Sequence, residues 1–239
     1  MQEPDPYQLS AFWGQRKESA EECAARAVGL LRCLGHLDET FVKWYRLGRS
    51  RQEALQLEMQ LDVQPIAELL RRQHERSRRA GATEDSGFLL MLWNGDEDRA
   101  SVGVQLQCGS YGRSARNHFG MDFPTREDKR QKVLKSDLLG GIMRCVISTM
   151  DPDWAVVASL KHFIANRGSL QKPVISWWTF LSSRLGPAPP MPPPARTIPL
   201  GPSGSLIVAT DEGFDSENPR HLAAVKSVRE RLKQAGFDL

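Results

Sequence analysis

No two of the four cysteines, Cys23, Cys33, Cys108 and Cys145, stand in C-x-x-C spacing, so the chain carries no zinc-ribbon signature. It has no Walker loop, no G-x-G-x-x-G, no H-E-x-x-H and no G-x-S-x-G, so none of the usual phosphate-cradling, dinucleotide, zinc-hydrolase or serine-nucleophile sites can be read from it. No window approaches the roughly eighteen uncharged apolar residues of a membrane-crossing helix. Excess charge is also scarce: 32 basic and 29 acidic residues leave +3. That is less than a dedicated nucleic-acid binder usually carries, and it excludes a strongly acidic nucleic-acid mimic. The opening Met1-Gln2-Glu3-Pro4-Asp5-Pro6 has neither a basic n-region nor an apolar h-region. The expectation is a cytoplasmic protein with reduced thiols.

What is present is enough for a core. A chain of 239 residues buries roughly three quarters of its unfolded surface on folding, so neither disulfide nor metal is required. Tyr7 to Trp13 reads as a short strand. Ser19 and Glu22 have capping-box spacing and open a helix striped by Ala20, Cys23, Ala27, Leu30, Leu31 and Leu34, with Gly35 as its expected end. Asp38 predicts a second helix carrying Phe41, Trp44 and Tyr45. Ser50 with Glu53 predicts a third helix, and Pro65 the first turn of a fourth. From Ser86 the pattern changes to close-spaced strands at Phe88–Trp93, Ser101–Gln107 and Asn117–Phe123, the signature of an antiparallel meander. A helical stripe follows at Leu134, Leu138, Ile142, Cys145 and Thr149, then a strand at Trp154–Leu160. The segment Val174–Leu181 fits strand or helix equally. Ser205–Thr210 is a strand, and Asn218-Pro219 starts a last helix with Leu222, Val225, Val228 and Leu232 on one face. The fold class expected is α+β, with N-terminal helices packed on a mainly antiparallel sheet and a helix at the C-terminus. Residues 1–239 are expected to form one domain, with a proline-rich loop at 186–202 that cannot be helix or inner strand.

Several weak chemical signals remain. His36, His74, His118, His162 and His221 show no ligand spacing, and no metal or cofactor is expected. Asp151 and Asp153 form a carboxylate pair, but D-P-D after a helix is first a helix stop and turn. Arg71, Arg72, His74, Arg76, Arg78 and Arg79 complement a helix C-terminus, and no aromatics interleave to stack bases. Two acidic clusters stand against the positive net charge: Asp96, Glu97 and Asp98, and Asp211, Glu212, Asp215 and Glu217. Solvated loops account for both, and both are also surfaces suited to a basic protein partner.

Several phrases in one order resemble the Immunity protein 52 family of bacterial polymorphic-toxin and type VI secretion systems. They are Phe12-Trp13-Gly14-Gln15-Arg16, Glu18 to Ala24, Lys43-Trp44-Tyr45 before Gly48 and Ser50, Trp93-Asn94-Gly95, Cys108-Gly109, Asn117, Asp151-Pro152-Asp153-Trp154, Ser176 to Ser182, Gly204 to Val208 and Asn218 to His221. The proline run departs from the family pattern. The resemblance implies a non-enzymatic protein that binds and neutralises a cognate secreted toxin, a restriction-endonuclease-fold nuclease among its usual neighbours. It supplies no catalytic residues. The expected toxin-binding residues are therefore the two acidic clusters. A nucleic-acid-associated regulator using the basic segment 71–79 is the alternative.

Overall fold

The computed structural model describes residues 5–113, 116–167 and 172–239; the reading of residues 1–4 lies outside them. The chain starts with strand β1 (Tyr7–Trp13) and helix α1 (Ala20–Leu37). The Ser19 hydroxyl accepts the Glu22 N–H and the Glu22 carboxylate accepts the Ser19 N–H, closing the capping box expected there. The helix passes through Gly35 rather than stopping. A Cβ at that position would lie only 3.4 Å from the Phe41 carbonyl, so the glycine allows the following turn to fold back against the helix.

The helix expected from Asp38 does not form. Asp38 caps a single 3-10 turn, Glu39–Phe41, and the chain then pairs as strand β2 (Tyr45–Arg46). Phe41 and Trp44 are fully buried here. A helix this short gains little on its own, and burial of two aromatics decides the conformation. Helices α2 (Arg51–Ala54) and α3 (Val63–Arg79) follow, with Pro65 in the first turn of α3 as expected. Strands β3 (Phe88–Trp93), β4 (Gly103–Cys108) and β5 (Asn117–Asp122) form the expected meander. Then come α4 (Glu127–Val133), α5 (Ser136–Met150), β6 (Trp154–Ser159), α6 (Leu160–Asn166) and β7 (Trp178–Ser182); of the ambiguous segment Val174–Leu181, the second half is strand and Val174–Trp177 is neither strand nor helix. The proline-rich stretch ends in strand β8 (Arg196–Pro199), which pairs only with β9 (Gly204–Val208) and so takes a sheet edge, where proline is tolerated. Helix α7 (Pro219–Gln234) is opened by Asn218, whose side chain accepts the Arg220 N–H.

The nine strands form one antiparallel sheet in the order β2-β3-β4-β5-β1-β6-β7-β9-β8, so the architecture is α+β. The strands β3, β4 and β5 alternate buried and exposed residues, whereas β6 and β7 are buried on both faces. Ala27, Leu30 and Leu31 of α1 cover Leu90, Leu92, Val104, Leu106 and Phe119 on one face. Helix α5 packs beside α1 and brings Gly140 against the Trp178 ring of β7. Val225, Val228 and Leu232 of α7 join the same core.

Cys33 of α1 and Cys145 of α5 form a disulfide, with 5.8 Å between their Cα atoms and 112 residues between them in sequence. The expectation of reduced thiols throughout is thereby corrected. Helical spacing puts Cys33 beside the apolar stripe of α1, where it is partly buried. It carries no information about which distant helix lies alongside. Cys23 and Cys108 are free and fully buried.

Candidate functional site

The antiparallel register sorts the connections to two ends of the sheet. One end gathers the ends of β1, β4 and β7 and the starts of β5, β6 and β9; the other gathers the opposite termini of those strands.

The first end is a polar network that joins several of the family phrases, through Gly14, Arg16, Glu18, Asn117 and Asp151-Pro152-Asp153, with Ser110, Arg26, Thr149 and Arg184; Glu18 Oε2 and Trp13 Nε1 are buried in it without a partner among the described residues. Asn117 is fully buried; its amide donates to the carbonyls of Gly14 and Ser110, and its oxygen accepts the Ser110 N–H. Asp153 accepts the Gly14 N–H at 2.9 Å and an Arg184 bond at 2.9 Å. Arg184 and Arg16 both reach the Asp151 turn, where Asp151 adopts φ +48 as the helix stop. Arg26 pairs with the buried carboxylate of Glu18 and donates to the Thr149 carbonyl. The D-P-D pair is thus a turn clamped by two guanidinium groups. Gly109 has φ +73, and a Cβ there would lie 3.0 Å from the Glu18 carbonyl.

The second end carries both acidic clusters. The longer cluster lies between β9 and α7 and is fixed by an apolar plug. Phe214 is buried between the rings of His162 and His221, and its carbonyl accepts the Tyr7 hydroxyl. Thr210 accepts the Trp177 indole N–H through its carbonyl and the Glu212 N–H through its hydroxyl. With the backbone tied down in this way, the acids project outward. Asp211 pairs with Arg196 of β8 at 2.8 Å, and Glu217 with Lys161 of α6 at 3.4 Å. Glu212 faces the buried His221 ring at 3.2 Å, while Nδ1 of that ring accepts the Asp215 N–H. Asp215 accepts the Glu217 N–H, so it caps the loop turn, and Asn218 alone caps α7. Glu212 and Glu217 keep 81% and 71% of their side-chain surface in water.

Behind this loop opens a cleft of about 720 Å³, floored by Tyr7, Trp177 and Phe214. Its rim holds the carboxylates Asp5, Glu127, Asp211, Asp215 and Glu217 against the cations Arg130, Lys135 and Lys161. Burial, followed by the Asp5 carboxylate, pushes the Tyr7 phenol up to about 12, so it stays a neutral donor. Asp5, Tyr7, Glu127, Arg130 and Lys161 escape sequence reasoning, because they come from three separate segments with no shared spacing.

The shorter cluster lies in the β3–β4 turn. Asp96 accepts from the Asn94 amide, while Glu97 and Asp98 are exposed and, among the described residues, make no ion pair. Gly95 has φ +82, and a Cβ there would strike the Tyr45 ring. Both clusters face the same end, but β4 and β9 are five strand steps apart, about 24 Å at the usual interstrand spacing. They form two separate acid patches on one rim. The basic helix α3 lies at the other side of the molecule, beside β3, with Arg71 paired to Glu21 and Arg72 to Glu68. Among the described residues, no group of three His, Cys, Asp or Glu side chains could hold a metal ion, and no helix is long and apolar enough to cross a membrane.

The family model described as Immunity protein 52 matches residues 5–238. Among solved structures, the Pseudomonas aeruginosa T6SS protein PA0821 is similar at a TM-score of 0.51 and 12% identity, over 95% of this chain and 72% of that one, which is a likeness of fold. No curated protein sequence matches the chain significantly.

Proposed function

The chain belongs to the Immunity protein 52 family, and from that premise we propose that it neutralises a nuclease toxin by docking the acid-rimmed end of its sheet on the toxin's basic phosphate-binding cleft. The observation that carries this reading is the fixed loop 211–217. Its backbone is plugged by Phe214, while Asp211, Glu212, Asp215 and Glu217 stay exposed on it. Acids presented on a rigid scaffold raise association rates and exclude a phosphate substrate without large ordering costs. The separation of about 24 Å from Asp96, Glu97 and Asp98 suits a wide contact, since stable interfaces bury roughly 1,200–2,000 Å². In this reading the protein performs no catalysis, and its toxin belongs to a type VI secretion or polymorphic toxin system. The fold shared with a T6SS protein supports that setting.

The test is the combined variant Asp211→Ser, Glu212→Ser and Glu217→Ser, assayed against the product of the adjacent toxin gene. Association should slow by about tenfold, its salt dependence should weaken, and cells should lose protection. Unchanged association and salt dependence would sink the acidic-loop interface.

The toxin is proposed to be met in the cytoplasm. The Cys33–Cys145 disulfide favours a second reading, an oxidising compartment. Acid quenching of cells followed by alkylation under denaturing conditions decides between them: two labelled thiols per chain, Cys23 and Cys108, mean the disulfide exists in vivo, and four mean the cytoplasmic reading stands.

A further inference from the structure

We propose that His221 is the positioning residue of the acidic loop 211–217 and holds it only as a neutral ring, so that acid releases the loop and weakens toxin association; this rests on the proposed reading of the loop as the toxin-binding surface. His221 stands in the first turn of α7, at the end of the phrase Asn218-Pro219-Arg220-His221, and its buried ring stacks on Phe214. A backbone N–H can only donate, so the bond from the Asp215 N–H to Nδ1 at 2.9 Å requires a lone pair on Nδ1. The one proton of the neutral imidazole is then on Nε2, where it meets the Glu212 carboxylate at 3.2 Å. The Asn218 amide nitrogen, 3.4 Å from Nε2, is a second donor at that point and adds a contact rather than a bond. One ring thus ties the loop twice, at the main chain of Asp215 and at the side chain of Glu212. The turn into α7 is built on Asp215, whose carbonyl accepts the Asn218 N–H and whose carboxylate accepts the Glu217 N–H.

Protonation of His221 puts a hydrogen on Nδ1, facing the hydrogen of the Asp215 N–H. The acceptor becomes a donor and the bond is lost. The held loop prefers the neutral ring, so it is kept at higher pH and lost as pH falls through the titration of the ring. Glu212 balances the new charge but does not restore the acceptor that Asp215 needs. The other charged groups around the ring have their own partners. Asp211 is turned to Arg196 and Glu217 to Lys161 of α6. Asp5, ahead of β1, accepts the Ser216 hydroxyl, and the Arg220 N–H of α7 is held by Asn218. His162 of α6 lies on the other side of Phe214, with Nε2 facing the Ile175 carbonyl; burial holds its pKa below the ordinary histidine value. The Tyr7 phenol, raised to about 12, keeps its bond to the Phe214 carbonyl as the ring titrates. The plug therefore stays seated, and release is confined to the turn Asp215–Asn218.

The experiment uses the full chain, alone and then with the product of the adjacent toxin gene, from about pH 7.5 to about 5.5. Ring nitrogen shifts should show a bare Nδ1 at the upper pH. Exchange protection of the Asp215 amide, taken relative to the unfolded-chain rate at each pH, should fall with the same midpoint as the His221 ring. Toxin association should fall about tenfold over the range. Two uncharged variants separate positioning from packing. His221→Asn sets a carboxamide oxygen near the Nδ1 position, where it can accept the Asp215 N–H without titrating. His221→Gln reaches toward Glu212 instead and leaves that N–H without an acceptor. At neutral pH the Asn variant should associate about tenfold faster than the Gln variant, and neither should keep the wild-type pH dependence. A protonated Nδ1 at the upper pH, Asp215 protection unaltered while the ring titrates, toxin association indifferent to that titration, or full pH dependence in His221→Asn would each overturn the proposal. The measurements on the free chain keep the two readings apart. Loop release without any effect of Asp211→Ser, Glu212→Ser and Glu217→Ser on binding means the acidic-loop interface has failed; binding that needs those acids without loop release means only the role of His221 has failed.

Discussion

The two ends of the sheet handle charge in opposite ways. At the end built around Asn117, Asp153 and Arg184, polar groups from five parts of the chain satisfy one another, and Asn117 has no exposed surface at all. At the other end the backbone is equally well tied, through Phe214, Thr210 and Tyr7, yet the carboxylates of Glu212 and Glu217 stand largely in water. A buried polar network contributes to stability because losing one member strands the others; an exposed pair contributes little, because water replaces either partner. The first end therefore serves folding, and the second presents exposed side chains, the ones the proposed reading gives to a partner.

Substitutions can break this comparison. The largest expected effect is Asn117→Ala, which leaves the Ser110 N–H and the Gly14 and Ser110 carbonyls without their partner and should cost roughly 3–5 kcal/mol, measured by denaturant unfolding. A cost under about 1 kcal/mol would remove the distinction between the ends. Next is the bridge between α1 and α5, the helical layer lying over the sheet. Cys33→Ser with Cys145→Ser, or reduction of the native protein, should lower stability by roughly 2–4 kcal/mol while leaving the fold intact by circular dichroism.

The pH dependence sharpens the contrast. His118 follows Asn117 in β5 and lies against Phe12, where burial lowers its pKa from 6.5 to about 4. The unfolded chain therefore takes up a proton before the folded one does. Stability should fall as pH drops from 6.5 toward 4 and lose nothing more from this group below that. His118→Gln should flatten that part of the unfolding profile; an unaltered slope would place the acid sensitivity elsewhere. The smallest effect belongs to the acidic end. Asp211→Ser, Glu212→Ser and Glu217→Ser together should change stability by no more than about 1 kcal/mol, since Asp211 and Glu217 make surface ion pairs and the Glu212 carboxylate stands largely in water. A larger loss would make those acids part of the fold rather than a free recognition surface.

Local rules made much of the architecture legible. The Ser19 capping box, the Asn218-Pro219 start of α7, the β3–β4–β5 meander and the D-P-D stop all rest on neighbours within a few residues, and all are present. The acid clusters were visible as composition, since solvated charge is conspicuous against an otherwise balanced chain. The segment Asp38–Tyr45 went the other way, because its outcome depended on a distant core ready to accept Phe41 and Trp44.

By itself, then, the sequence determined most element types, though not those of Asp38–Tyr45 and Val174–Leu181, together with the family phrases and the places where negative charge collects, because each is set by local spacing or by residue type. Only the tertiary structure decided which ends those elements share. Sheet order placed β1 at the centre, divided the family phrases between the two ends, gathering Gly14, Cys108-Gly109, Asn117 and Asp151-Pro152-Asp153 at one of them, and set the two acidic clusters about 24 Å apart at the other. It also paired Cys33 with Cys145 across 112 residues. Those outcomes follow from strand pairing and helix packing between segments far apart in the chain, and no local spacing encodes them.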